Sequence, residues 1–413
     1  MSSPRFAALR IPDYRRYFLL GLLSQTADNI EHVISYWVIF QKFHSPTLAG
    51  FAVISHWVPF LLFSFYMGAL ADRYDCRKLI QISQGMFMLA SAAWGLLFLT
   101  DTLRLWHAVA ILLVHGAAGV FSATASQLIL HDMVGGTDLP SAIRINASSR
   151  NLAILLGPAI GGGMMLLLGP AWGLLANVVL YWPFTLFLAR VPYTGHGRPG
   201  QTPRRAGGLG LGDSLRLLRQ VSAERRIVMM IALGGVTSFF VGNAFQAQMP
   251  EYAHDFGADE AGGWYSMLLA GNAAGAILGA ILLETLDVLR PSARAAIVCA
   301  GLWGITIGLF ALTRSYVVAV SLLVLAGAFN IAFTSMAQTL VQLLAPAALR
   351  GRVVGLFNTA TLGLRAGSGL TVGVLGAVIG VHWSLALSSA AVVTIALAML
   401  ARGAGAVESH PVG

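Results

Sequence analysis

The stretch Gly68-Ala-Leu-Ala-Asp72-Arg73-Tyr-Asp75-Cys-Arg77-Lys78 lies between two long apolar runs, 47–67 and 79–100. Five of its last seven residues are charged. A helix of about 20 mostly apolar residues is long enough to cross a bilayer. The pattern therefore predicts a membrane hairpin whose charged turn lies in water, with Gly68 at a point where the two backbones approach closely.

Apolar runs of the same length recur along the whole chain. The 413 residues are 57% hydrophobic and 10% charged, with a mean hydropathy of +0.74, whereas soluble domains carry about 25% charged residues. We therefore predict an all-α membrane protein with twelve transmembrane helices. The predicted spans are 17–40, 47–67, 79–100, 107–130, 145–168, 172–189, 227–249, 262–283, 295–313, 316–344, 354–380 and 382–401.

The basic residues between these spans alternate in number. With the N-terminus inside, 21 Lys and Arg residues fall on the cytoplasmic side, and only Lys42, Arg104 and Arg314 fall outside. This bias follows the positive-inside rule. It predicts a multi-pass protein of the bacterial inner membrane with both termini in the cytoplasm. The basic residues form no single patch, which argues against a nucleic-acid partner despite the net charge of +9.

The chain is predicted to contain two six-helix, pseudo-symmetric halves, 1–190 and 226–413. They are joined by a Gly-, Pro- and Arg-rich cytoplasmic linker, 191–225. A similarity between two segments of the chain supports this division, because aligning Arg150 with Arg365 places Gly161 opposite Gly376. Parallel six-helix repeats are a known plan of membrane transporters.

The stretch 68–78 is similar to the G-x-L-a-D-R-x-x-x-R-K signature loop of the major facilitator superfamily. The sequence Gly157-Pro158-Ala-Ile-Gly161 resembles the G-P-x-x-G core of that family's antiporter motif. Within the superfamily, the chain looks most like the enterobactin-exporter group of efflux proteins. The resemblance implies the facilitator fold and transport by alternating access. It also implies a conformational latch at Gly68, Asp72, Arg73, Arg77, Lys78, Gly157, Pro158 and Gly161.

The first span carries an unusual polar stripe. Gln25, Asp28, Glu31, His32 and Ser35 fall within an arc of about 120° on a helix. A charge at the bilayer centre costs roughly 2.5–3.5 kcal/mol on insertion scales, so the two carboxylates must face a cavity, share a proton or pair with a cation. We predict that proton coupling or substrate binding, or alternatively an ion-paired strut, involves Asp28, Glu31, His32, Arg150 and Arg365.

Other polar residues inside the spans are candidate liners of a central cavity. Each one is alternatively an interhelical hydrogen-bonding residue. Together with neighbouring aromatic residues they favour an amphipathic cavity for a medium-sized organic molecule. The candidates are Gln25, His56, His115, Asn243, Gln246, Asn330, Gln338 and Asn358.

The function predicted from these features is secondary active transport, namely proton-coupled efflux of a small organic molecule such as a drug or a siderophore. Asp28-x-x-x-His32 also resembles ferroportin-type iron exporters, so export of a divalent metal is an alternative, and lysophospholipid transport is another.

No HExxH, GxSxG or Walker pattern occurs in the sequence. We therefore expect no enzyme activity, no cofactor and no resident metal, and a membrane-embedded enzyme or receptor remains the alternative of a different class. The expected partners are the small-molecule substrate, protons and the lipid bilayer, and the protein is expected to act as a monomer.

Overall fold

The structure is a computed structural model, and it consists of helices joined by short connections. No strand occurs in the part of the chain that it describes, as expected for an all-α membrane protein. The described residues are 7–71, 73–196, 219, 224–257, 262–286, 292–345 and 350–401.

The chain forms two compact units. The first contains Met1–Phe43 and Val58–Gly208, and the second contains His44–Trp57 and Leu209–Gly413. The second helix, Pro46–Ala71, therefore contributes its beginning to the second unit and the rest to the first. A single uninterrupted helix thus belongs to both units.

The first unit contains a short 3-10 turn, Ala7–Arg10, and four helical elements. Asp75 precedes the helix Cys76–Leu99, and its carboxylate accepts a hydrogen bond from the backbone N–H of Arg77 at 2.9 Å. This is a side-chain cap on an otherwise unsatisfied helix start. The elements are α1 Pro12–Phe43, α2 Pro46–Ala71, α3 Cys76–Leu99 and α4 Leu105–Arg190.

Helix α4 is interrupted twice. Gly135 and Gly169 have φ angles of 71° and 76°, in a region that glycine adopts without the steric cost of a Cβ atom. The interruption at Gly169 lies between the predicted spans 145–168 and 172–189. Non-helical backbone angles within α4 are found at these two glycines.

The second unit begins with helices α5 to α10. Ser292 and Ser315 cap two of these helices by accepting a hydrogen bond from a backbone N–H three residues later. The elements are α5 Arg225–Phe240, α6 Ala244–Ala247, α7 Met249–Asp255, α8 Gly263–Leu286, α9 Ala293–Leu312 and α10 Tyr316–Leu344.

The following segment, 350–379, alternates between α-helix and π-helix. The π-helical parts are Thr359–Gly363 and Gly369–Val374. The α-helical parts are α11 Arg350–Asn358, α12 Arg365–Ser368 and α13 Leu375–Ile379, and the last helix is α14 Val381–Ala401.

Nine helices in the described parts of the chain are long and apolar enough to cross a membrane. Helices α1 and α2, with 32 and 26 residues, also have sufficient length. The count of twelve, the two six-helix halves and the boundaries 1–190, 191–225 and 226–413 stay predictions. Asp72 and most of the predicted linker lie outside the described residues.

Small residues let α8 and α10 approach closely. A Cβ atom added to Gly275 would overlap the carbonyl oxygen of Val324, and one added to Gly327 would overlap the carbonyl oxygen of Asn272. The glycines therefore face each other's helix in a reciprocal contact within the second unit. Membrane helices use such contacts because lipid supplies no hydrophobic driving force between them.

Candidate functional site

Two carboxylates of α1 meet one imidazole of α4 inside the first unit. His115 Nδ1 lies 2.7 Å from Glu31 Oε1, and His115 Nε2 lies 3.1 Å from Asp28 Oδ1. Asp28 and Glu31 are one helical turn apart and point to the same side of α1. The imidazole therefore bridges the two carboxylates, forming a cluster that we call the Asp28–His115–Glu31 bridge.

Aromatic side chains enclose this bridge. The ring of Phe87 packs edge-on against His115, with 4.9 Å between the ring centroids, and Tyr181 stacks on Phe87 at 5.8 Å. Glu31 is 1% exposed and His115 is 5% exposed, whereas the side chain of Asp28 keeps 26% of its surface. The exposed part of the bridge is therefore at Asp28.

The geometry constrains the protons of the bridge. Both imidazole nitrogens of His115 face carboxylate oxygens, so protons are required on both nitrogens or on a carboxyl group. Among the residues that the structure describes, Glu31 Oε2 is buried and has no hydrogen-bond partner. An ionised carboxylate is costly to leave in that state. The buried Glu31 carboxyl group therefore depends on His115 for its hydrogen bonding.

His32 and Gln25 border the bridge on α1. His32 Nδ1 lies 2.8 Å from the backbone carbonyl oxygen of Asp28, one turn earlier, and the His32 ring packs edge-on against His115 at 4.7 Å. Gln25 Nε2 donates to Ser149 Oγ on α4 at 3.4 Å. The structure thus places Gln25, Asp28, Glu31 and His32 along one side of α1.

Helix α4 packs tightly on α1 at this level. A Cβ atom added to Gly157 would overlap Asn29, and one added to Gly161 would lie 3.3 Å from the Cα atom of Ile30. Asn177 Nδ2 donates to the backbone carbonyl of Ala27 at 2.9 Å. These contacts fix the side of α1 that carries the two carboxylates.

The sequence does not assign His115 or Asn177 to this site. It predicts His115 as a liner of the central cavity, without pairing it with Asp28 or Glu31, and it does not single out Asn177. A polar side chain deep in an apolar span is the only local signal, and it does not name a partner. The contact between His115 and Glu31 joins residues 84 positions apart.

The two arginines predicted at the site are in different units. Arg150 belongs to the first unit, where its side chain is exposed and its charge interacts with that of Asp28. Arg365 belongs to the second unit, where its guanidinium carbon lies 5.1 Å from the centre of the Trp57 ring and its Nε donates to the Thr361 carbonyl oxygen at 3.2 Å.

The six remaining predicted cavity liners are all in the second unit. Asn358 is exposed, and the others are partly buried. A common lining role for these residues stays a prediction. They are His56, Asn243, Gln246, Asn330, Gln338 and Asn358.

The predicted latch loop is held to its own unit by Arg77. Arg77 Nη2 donates to Asp75 Oδ2 at 2.7 Å, and Nη1 donates to the backbone carbonyl of Val191. The hydrogen bonds from Arg77 hold the pKa of Asp75 below its ordinary value. Arg73 and Lys78 are exposed. Action of this loop as a latch stays a prediction.

Two relatives of this chain are named as export proteins. The multidrug efflux pump Tap of Mycobacterium tuberculosis is 24% identical over 347 residues, which cover 82% of this chain and 81% of that protein. The enterobactin exporter EntS of Shigella boydii is 26% identical over 353 residues, which cover 84% of this chain and 81% of that protein.

A solved structure shares the fold. A bacterial homologue of the human lysosomal transporter Spinster is similar with a TM-score of 0.69 over 95% of this chain and 97% of that one, at 15% identity. A family model described as transmembrane secretion effector matches residues 3–410. The fold and the family are those of multi-pass transporters rather than enzymes. Because the match spans nearly the whole sequence, the chain belongs to the transmembrane secretion effector family of the major facilitator superfamily.

Proposed function

We propose that this chain is a proton-coupled exporter of a small organic molecule that works by alternating access in the bacterial inner membrane, with both termini in the cytoplasm. The observation that carries the proposal is the Asp28–His115–Glu31 bridge. It supports the proposal because it joins three titratable side chains, of which Glu31 and His115 are buried and Asp28 is partly exposed.

The formal charges of the bridge explain how a proton would matter. With both carboxylates ionised and His115 protonated, the bridge carries one negative charge, and one further proton makes it neutral. A net charge opposes closure of a low-dielectric protein around it. Proton binding therefore favours the closed states through which the carrier must pass, and proton release favours a state in which Asp28 faces water.

The direction of transport and the class of cargo rest on different support. The relatives Tap and EntS are named as an efflux pump and an exporter, and they favour outward movement of a drug-like or siderophore-like molecule. The partly buried polar side chains of the second unit favour an amphipathic cargo over a sugar, because the helices that carry them are otherwise apolar.

The proposal can be tested in everted membrane vesicles, where export appears as uptake. The probes are carboxyfluorescein, ethidium and Nile red, which are anionic, cationic and neutral dyes. Respiration should drive uptake of at least one probe, and a proton uncoupler should abolish it. Glu31→Gln and Asp28→Asn should lose the driven uptake, whereas Asp101→Asn, a change of an exposed carboxylate that pairs with Lys42, should keep it.

Uncoupler-resistant uptake by the wild-type protein, or full driven uptake by Glu31→Gln, would contradict the proposal.

The same vesicles test the metal alternative. Asp28 Oδ1 lies 3.8 Å from His32 Nδ1, and a metal exporter would accumulate Mn²⁺ or Co²⁺ in a manner that depends on His32 while leaving the organic probes untouched. That outcome would replace organic cargo with metal.

A further inference from the structure

A groove opens in the first unit where α1 begins and α4 ends. Its volume is about 540 Å³, which is within the range of cavities that hold small organic ligands. Both helix ends belong to the same compact unit. We call this cavity the Arg16–Arg190 groove. Its lining includes Asp13, Arg16, Leu20, Pro183, Leu186 and Arg190.

The groove lies where apolar sequence gives way to polar sequence on both helices. Arg16 directly precedes the predicted span 17–40, and Arg190 is the last residue of the apolar span Leu152–Arg190. Because α1 begins and α4 ends here, the two arginines mark the same membrane surface, on the side of the N-terminus. Basic side chains at the ends of membrane helices reach the level of the lipid headgroups. The groove is therefore at headgroup level.

The charges of the groove favour an anion. Both arginine side chains are exposed, and Arg16 keeps 70% of its side-chain surface. Arg16 Nη1 lies 3.9 Å from Asp13 Oδ1, which is too far for a hydrogen bond, and Asp13 Oδ2 accepts one from the Tyr193 hydroxyl at 3.1 Å. Two arginines and one aspartate line the groove, which leaves one net positive charge. A guanidinium plane matches phosphate oxygens through paired N–H donors.

Apolar surface continues from the arginines along both helices. Leu186 and Trp182 precede Arg190 by four and eight residues, so the three lie on one face of α4. Leu186 is 46% exposed and Trp182 is 50% exposed. On α1, Leu20 follows Arg16 by four residues and lines the groove. Each arginine thus stands at the water end of an apolar strip, an arrangement that suits a charged headgroup with attached acyl chains.

The packing beneath the groove sets its shape in advance. The rings of Tyr17 and Phe184 are buried and meet edge-on with 5.4 Å between their centroids. A Cβ atom added to Gly21 would lie 3.8 Å from the Phe184 ring. The Tyr193–Asp13 hydrogen bond also ties the segment after α4 to α1. A groove formed in this way needs little reordering when a ligand binds.

We propose that the Arg16–Arg190 groove binds the phosphate of an anionic phospholipid, whose acyl chains lie along Leu186 and Trp182. Basic pockets between membrane helices bind such headgroups. A zwitterionic lipid carries the same phosphate, but its ammonium group would meet the arginines with like charge, so the groove selects an anionic lipid. The inference goes beyond the proposed transport activity, because the groove shares no residue with the Asp28–His115–Glu31 bridge.

Native mass spectrometry of the full-length protein in detergent counts the bound lipids directly. The probes are phosphatidylglycerol and phosphatidylcholine with the same acyl chains, and the competitor is glycerol 3-phosphate, which carries the phosphate without acyl chains. Wild-type protein should bind phosphatidylglycerol tighter than phosphatidylcholine by about fivefold or more, as expected for the charge of one arginine. Glycerol 3-phosphate should not displace the lipid.

Substitutions in the groove should change this affinity in both directions. Arg16→Gln and Arg190→Gln should each weaken binding of phosphatidylglycerol about fivefold, and the double variant more than tenfold. Leu186→Gln should weaken it by a few fold. Asp13→Asn, which removes the negative charge beside Arg16, should strengthen it. The matched control is Arg15→Gln, at an exposed neighbour that lies outside the groove lining, and it should bind like the wild type.

Three results would overturn the proposal. Equal weakening by Arg15→Gln and Arg190→Gln would show that only the overall positive charge of this end attracts lipid. Equal binding of the two phospholipids would make the groove an unselective apolar surface. Displacement of the lipid by glycerol 3-phosphate would assign a soluble phosphate ligand instead.

Melting temperatures separate lost lipid binding from lost folding. Because both arginine side chains are exposed, Arg16→Gln and Arg190→Gln should melt like the wild type without added lipid. Phosphatidylglycerol should raise the melting temperature of the wild type more than that of either variant, because a ligand stabilises the folded state that binds it. An equal rise in all three proteins would contradict binding in the groove.

Discussion

Removing His115 should destabilise the first unit more than its size explains. The imidazole bonds Glu31 at 2.7 Å in a place where both side chains are almost completely buried. Breaking a buried charged pair by removing one partner costs about 3–5 kcal/mol, because the other partner is left without its hydrogen bond. We therefore expect His115→Gln to lower the free energy of unfolding by about that amount.

A double-mutant cycle separates this effect from lost packing. Glu31→Gln replaces one of the two carboxylates that His115 faces, so His115→Gln should cost less in that background. The difference, the coupling free energy between the two side chains, should be about 1.5–3 kcal/mol, the usual contribution of a hydrogen bond to a charged group. The wild-type protein and the three variants would be unfolded with SDS in lipid bicelles, and helix content would be followed by circular dichroism.

The matched control for the cycle is Asp101→Asn, in which the altered carboxylate is exposed and pairs with Lys42. It should change the free energy of unfolding by less than about 1 kcal/mol. Strictly additive costs for Glu31→Gln and His115→Gln would refute the reasoning, because they would mean that the two groups do not interact in the folded protein.

Two further changes test the packing and the latch loop. Gly275→Ala should destabilise the second unit by about 1–3 kcal/mol in the same SDS titration, because the added Cβ atom would overlap the Val324 carbonyl oxygen. The control Gly85→Ala, at a glycine with open space around it, should be neutral or slightly stabilising. Equal effects of the two substitutions would contradict the close contact. Arg77 lowers the pKa of Asp75, so the stabilisation from this pair is complete above the pKa that the carboxyl group has in the unfolded chain and is lost as the pH falls through its pKa in the folded protein. The Asp75→Asn variant should therefore have a lower melting temperature than the wild type at neutral pH. A difference in melting temperature that persists at about pH 2 would argue against this origin.

The sequence is informative about the elements whose signal is local. Apolar runs predict helices that cross the membrane, and the charged stripe on α1 marks the site because a carboxylate rarely lies so deep. Asp75 and its helix start are recognisable in the same way, from a capping residue beside a charged turn. These features depend on neighbours within a few positions along the chain.

The partners in the site could not be read from the sequence in the same way. Glu31 is paired with a histidine 84 residues away, and nothing local distinguishes His115 from His56 as that partner. The π-helical stretches on either side of Arg365 likewise depend on packing against α5, where Ser238 and Thr371 bind freed carbonyl groups. Such contacts are set by tertiary structure, which a single sequence does not specify.

The most direct test of proton coupling uses purified protein in liposomes. An imposed pH gradient should drive the dye that the everted vesicles accumulate against its own gradient in wild-type liposomes, while exchange of this dye across the membrane at equal pH should need no proton movement. We expect Glu31→Gln to lose the pH-driven accumulation and to retain the exchange. Accumulation by Glu31→Gln at the wild-type level would show that the Asp28–His115–Glu31 bridge does not carry the coupling.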